Sequence, residues 1–276
     1  MANYYYLVAS LPDVHLDDGK LSYTVETFKE EVYPSLSETD RKLIDLLYLK
    51  YDNENLLKLL KDKEAVINMR GNYTAEELTT LIHAVKEGDA ISNLPAYLAL
   101  FLSEYFQDGS DLALPENLLA QYYYDYAMQS NNDFVAAWFE FNLNTNNVLA
   151  ALMARKYKLD VAPNVVGQTE ICDAIRTSTT RDFGLSGELI YFDDLVRIGE
   201  TVEMVEKEKK IDALKWNWLE DESFFNYFTI EKLFVFLLKL EMVERWISLD
   251  KETGNQLFRK LIGSLKEDVQ IPAEFR

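Results

Sequence analysis

The sequence predicts a mostly α-helical protein, and three observations carry that expectation. Apolar residues recur at helical spacing over most of the chain, several runs open on capping signals, and no alternating-strand or βαβ rhythm interrupts them. A chain of 276 residues with 48% hydrophobic side chains can bury a substantial core, as one large domain or as two to three small ones. The expected divisions are 1–110, a first helical unit with an N-terminal arm, then 111–200, a second related unit, and 201–276, a C-terminal helical segment packed on the others.

At the N terminus, Tyr4-Tyr5-Tyr6-Leu7-Val8-Ala9 is rich in strand formers and ends at Leu11-Pro12-Asp13. A short strand, an extended arm and a helix all remain open there. From Thr24 the pattern turns helical. Ser35-Leu36-Ser37-Glu38 has capping-box spacing ahead of a helix running through Leu47. Thr74 and Glu77 form a second capping box, with Leu78, Leu81 and Ile82 on one face and Gly88 as the stop. Leu94–Phe106, Glu116–Met128 and Asn132–Leu143 follow as helices, with 109–115 as a linker candidate. The asparagines at 142, 144, 146 and 147 are turn and cap formers, which predicts a break before Val148. After an irregular stretch at 161–187, Ser186–Ile211 returns to helix. Thr229–Ile247 is the most apolar long segment, with Ile230, Leu233, Phe234, Leu237, Leu238 and Leu240 predicting burial on more than one side. Lys251-Glu252-Thr253-Gly254 reads as a turn.

Charge restricts the function classes. Asp and Glu number 47 against 28 Lys and Arg, a formal charge of -19. Such a field opposes docking on nucleic-acid phosphates or an anionic membrane, so no nucleic-acid partner is expected. The single cysteine, Cys172, cannot form an internal disulfide and fits a reducing compartment. The start lacks the basic region of a signal peptide, and FVFLLKL at 234–240 falls well short of a membrane span.

Catalytic and cofactor motifs are missing: there is no HExxH, CxxC, phosphate-binding glycine loop or GxSxG elbow. Catalytic, cofactor and metal residues are therefore expected to be none. His83 reads as structural or solvated. His15, Asp17 and Asp18 could together serve a metal-dependent small-molecule enzyme, but an acidic surface loop explains them more simply. Tyr122, Tyr123 and Trp138 fit either core packing or an aromatic interface, since consecutive helical tyrosines point in different directions.

One pattern occurs twice. Asp52 and Asn55 precede Leu56-Leu57 and Leu60, and 92 positions later Asn144 and Asn147 precede Val148-Leu149 and Leu152. Its physical content is a polar junction between helices followed by a helix with its apolar face inward. The doubled D/N-x-x-N junction is similar to the internally repeated helical domains of the C (also called d) subunit of V- and A-type rotary ATPases. The opening YYYLVASLPD and the segment YFTIEKLFVFLLKLEMVERWISLDKETG resemble an uncharacterised bacterial family encoded among V-type ATP synthase genes.

The resemblance implies internally repeated helical bundles in a funnel-like body. It implies a non-catalytic central-stalk subunit that joins the rotor shaft to the membrane rotor ring, with those subunits as partners and no cofactor. Placement on the cytoplasmic face of the inner membrane, through the complex, follows from it. Asp52, Asn55, Asn144 and Asn147 match the helix junctions, and Glu241 with Arg245 resembles a pair bridging helical units. The sequence departs from that pattern where Asn144 replaces a carboxylate and where no third repeat is evident. The competing expectation is a helical protein-interaction adaptor unrelated to ATPases.

Overall fold

The computed structural model describes residues 4–89, 94–107 and 114–268, with side chains to residue 253. Among these residues every regular element is helical, as a multi-helix bundle without strands. In chain order they are α1 (Tyr5–Ser10), α2 (Val25–Glu31), α3 (Glu38–Asp45), α4 (Leu49–Lys61), α5 (Ala75–Glu87) and α6 (Ala96–Gln107). Then come α7 (Pro115–Met128), α8 (Asp133–Lys156), α9 (Glu170–Thr177), α10 (Phe192–Glu200), α11 (Met204–Glu222) and α12 (Ile230–Asp268).

The chain forms two compact units: a central unit, Ser37–Leu214, and a terminal unit made of Met1–Leu36 with Lys215–Arg276. This division differs from the one expected at 110 and 200. The expected linker at 109–115 lies, apart from its last two residues, outside the described residues.

In the central unit α4 packs on α5, α5 on α6, α6 on α7, and α7 back on α4, closing a four-helix ring. Leu56, Leu81, Leu98, Phe101, Leu102 and Leu119 are buried in these helices. Tyr97 crosses between them, its hydroxyl donating to Asn53 Oδ1 at 2.6 Å. The long helix α8 packs on α7, α9 and α10. Around it lies a second core of Leu143, Val148, Ala151, Cys172, Ile175, Phe183, Leu195 and Ile198.

The terminal unit is organised by α12. Ile230, Leu233, Phe234, Leu237, Leu238 and Leu240 are buried as expected, and Val235, Phe236 and Val243 are buried too, so the helix is enclosed on several sides. Helix α2 packs against it, with the Phe236 ring 5.7 Å from Tyr23 and 6.4 Å from Phe28.

Several local expectations are met. Thr74 and Glu77 form a reciprocal capping box, and Gly88 ends α5 in the left-handed region at φ 79°. Others are corrected. The N-terminal strand or arm is helix α1: strand propensity is overridden because Tyr4 N–H donates to the Phe228 carbonyl at 2.8 Å and the Tyr5 ring lies 4.1 Å from Phe228. The cap of α3 is Ser37 accepting from Asp40 N–H, two residues later than the expected box. No break precedes Val148, and α8 is continuous from Asp133 to Lys156. Of its asparagines, only Asn132 caps, accepting from Val135 N–H at 3.0 Å. Asn142 donates back to the Trp138 carbonyl within the helix, while Asn144 and Asn147 are buried. Likewise α10 and α11 replace one helix over 186–211, and α12 runs through the turn expected at 251–254. A single glycine costs a helix only about 1 kcal/mol, too little to stop one that is otherwise favoured.

Candidate functional site: two asparagine-clamped loops

Helix α4 places Asp52 and Asn55 one turn apart, both fully buried. The Asn55 amide lies against the main chain of one residue of the loop that follows: Nδ2 donates to the Asn68 carbonyl at 2.9 Å, and Oδ1 accepts from Asn68 N–H at 2.6 Å. An asparagine amide has the same donor–acceptor pair as a peptide, so a single side chain satisfies both main-chain groups. Asp52 fixes the next peptides, accepting from Asn72 N–H and Tyr73 N–H, each at 3.0 Å. Asn72 Nδ2 donates in turn to the Asp45 carbonyl at 2.9 Å. Thr74 then caps α5. The Arg70 guanidinium lies 4.6 Å from the centre of the Tyr51 ring, seating the loop on α4.

Helix α8 builds a second clamp. Asn147 Nδ2 donates to the Val166 carbonyl at 2.7 Å, and Oδ1 accepts from Val166 N–H at 2.9 Å. The buried Cys172 thiol joins it, 3.2 Å from the same carbonyl and 3.1 Å from Thr169 Oγ1, the cap of α9. Arg176 donates to the Val165 carbonyl at 3.0 Å and also to that of Gly167. Both clamps therefore link a buried helical asparagine to the loop that enters the next capped helix.

They differ at the second polar position. Where Asp52 grips two loop amides, Asn144 is bonded to the Tyr191 side chain, and its buried Oδ1 has no hydrogen-bond partner among the described residues. Asp52 also carries a charge problem. Burial pushes its carboxyl up to about 6, helped by the nearby Asp45 carboxylate, although the two amide donors pull the other way.

The backbone of each loop comes close to its clamp at a glycine. A Cβ on Gly71 would lie 2.4 Å from Asp52 Oδ1 and 3.1 Å from Asn55 Nδ2. Gly167, at φ +91°, stands where a Cβ would lie 3.1 Å from Leu143. Gly71→Ala is expected to destabilise the protein by about 2 kcal/mol, because a tightly packed, hydrogen-bonded carboxylate must move. Urea unfolding measures this, and an unchanged midpoint would show that the loop is not seated on Asp52.

The other residues singled out from the sequence are dispersed. Tyr123 and Trp138 are buried in the core, and the Tyr123 hydroxyl donates to the Leu46 carbonyl at 2.9 Å, so neither offers an interface. Tyr122 is half-buried, with its hydroxyl on Glu104 at 2.6 Å. Glu241 and Arg245 lie one turn apart on α12 in the terminal unit, the Arg245 guanidinium 5.2 Å from the Trp246 ring centre. The neighbouring Glu244 reaches another helix, accepting from Val25 N–H at the start of α2 at 2.7 Å. Sequence reading missed it. His15 and His83 are exposed. Among the described residues no group of three His, Cys, Asp or Glu side chains is placed to hold a metal ion. Among the same residues no helix is long and apolar enough to cross a membrane.

A family model described as a protein of unknown function, DUF2764, matches residues 1–269, and the chain belongs to that family. No curated protein and no solved structure matches it.

Proposed function

We propose that this member of the DUF2764 family is a non-catalytic helical interaction protein whose clamped loops are held ready for another polypeptide. The observation that carries the reading is what its buried polar side chains do. Asp52, Asn55 and Asn147 direct their hydrogen bonds to main-chain groups of two loops. Around the pinned peptides, the first loop leaves Val66 90% and Met69 86% exposed. The second leaves Tyr157 and Leu159 exposed. Exposed apolar side chains on an ordered loop suit a binding surface, because ordering the loop in advance lowers the entropy cost of association.

A narrower reading makes the protein a central-stalk coupling subunit of a V/A-type rotary ATPase, between the rotor shaft and the membrane ring. Asn55 and Asn147, two of the residues on which the resemblance to those ATPases rests, make the same amide-to-peptide clamp, and that favours this reading. In such a role the protein performs no chemistry and needs no cofactor, and it sits at the cytoplasmic face of the inner membrane through the complex. Clamped loops suit torque transmission, since packed helices tied through main-chain groups resist sliding.

Isolation of the tagged full chain from its native cells in mild detergent, with the ratio of co-purifying proteins read by mass spectrometry, tests both readings. One copy per rotary ATPase, with shaft and ring components, is the result expected of the narrower reading. A different partner in fixed ratio would keep the interaction reading and remove the ATPase. Recovery without any stoichiometric partner, from a preparation in which the ATPase stays intact, would contradict both.

A further inference from the structure

The terminal unit carries a concentration of exposed aromatic side chains that neither clamp uses. Helix α11 ends at Glu222, and a tight turn follows in which Ser223 is buried and Asn226 N–H donates to the Ser223 carbonyl at 2.9 Å. That turn holds Phe224 and Phe225 outward, 64% and 83% exposed, with their rings 5.0 Å apart. Tyr227 follows at 58%. Helix α1 is fastened to the same stretch by the Tyr4 N–H bond to the Phe228 carbonyl and by the Tyr5–Phe228 ring contact, and it leaves Tyr6 94% exposed. Five aromatic residues at least half exposed, Tyr5 among them at 52%, stand on two segments tied together through their main chains, and such exposed aromatics are of the kind that proteins bury against a partner.

The local charge identifies the chemistry of that partner. Segments 4–19 and 216–231 contain no lysine or arginine of their own, and of the neighbouring cations Lys239 is paired with Glu220 at 2.9 Å. The exposed carboxylates Asp13, Asp17, Asp221 and Glu222 lie on these segments. A second copy of the chain, at a formal -19, would bring like charge against like, as would an anionic lipid surface. Lysine and arginine side chains fit both features, since their aliphatic stems lie on aromatic faces while their charged heads reach carboxylates.

We propose that the aromatic surface of Tyr6, Phe224, Phe225 and Tyr227 binds a basic, amphipathic polypeptide segment of another protein. The proposal extends the interaction reading to the second unit, and it does not depend on the clamped loops.

The test titrates the full chain with a fluorescently labelled helical peptide of leucine and lysine, its lysines on one face, and with a counterpart in which glutamate replaces lysine. The lysine peptide is expected to bind, with affinity falling as salt rises, and the glutamate peptide not to bind. Tyr6→Ser with Phe225→Ser should weaken binding about tenfold or more at an unchanged melting temperature. Asp221→Asn with Glu222→Gln should instead flatten the salt dependence, and this pair gives an independent reading if the aromatic variants fold poorly. Val66→Ser with Met69→Ser should leave peptide binding unchanged, which separates failure here from failure of the loop reading. Equal binding of the lysine peptide to wild type and to both variant pairs would reduce the effect to general charge attraction and overturn the proposal. So would equal binding of both peptides, no binding of either, a dimer abolished by the aromatic variants, or binding to phosphatidylserine vesicles in place of the peptide.

Discussion

Asn55→Ala is expected to lower the unfolding free energy by about 3 kcal/mol, from two lost hydrogen bonds and the part-buried Asn68 peptide groups left behind. The alanine keeps helix α4 intact, since it is a better helix former than asparagine. What fails is the tie between α4 and the loop that enters α5. Asn55→Gln carries the same amide on a longer arm and should recover little, because the pairing requires the amide at a fixed distance from the helix. Asn147→Ala should behave alike at the second clamp, with a further loss at the thiol of Cys172 that shares its amide. Denaturant unfolding measures each cost. An Asn55→Ala protein as stable as the wild type would show that water replaces the clamp without penalty.

The second large effect concerns pH. The Asp52 carboxyl is raised by burial from an ordinary 3.8 to about 6 in the folded state. A carboxyl raised on folding contributes stability that is fully present below its unfolded value and is lost as pH rises through its folded value. The wild type should therefore lose about 3 kcal/mol relative to Asp52→Asn as pH rises from near 4 to above 7, from the linkage of that shift to folding. Asparagine at 52 cannot titrate. It also turns an N–H donor toward one of the loop amides, so its own stability should be low and flat across this window as far as this site is concerned. Urea unfolding of both proteins across the window gives the difference directly. A constant difference would mean that Asp52 stays ionised and well compensated throughout.

The buried polar side chains of the clamps stand out in the sequence, but their partners do not. The Thr74 capping box and the Gly88 stop depend on spacing within a few residues, and both stand. The inward face of α12 follows from helical periodicity and also stands. The doubled polar pair singles out Asp52, Asn55 and Asn147, which are buried inside α4 and α8 and are not breaks between helices. Asparagine satisfies a distant peptide as readily as a local one, and only the fold decides which. Asn55 meets a main-chain group 13 residues away and Asn147 one 19 residues away, across loops of unequal length. Backbone partners leave no residue-type signature. Glu244, bonded to Val25 across 219 positions, is illegible for the same reason. The tyrosine run misled in another way. Tyr123 is buried, its hydroxyl bonded to a carbonyl, and among the described residues most of the strongly exposed aromatics lie instead near the chain start and after α11.

In the proposed function the first clamp holds a loop whose exposed apolar side chains meet another polypeptide. The most direct measurement compares wild type with Val66→Ser and Met69→Ser together, each isolated in tagged form from native cells, with partner stoichiometry and melting temperature read side by side. Both side chains point into solvent, so an unchanged melting temperature with loss of most of the stoichiometric partner is the predicted result. A double variant that melts as the wild type does and retains its partner at the same ratio would contradict the claim.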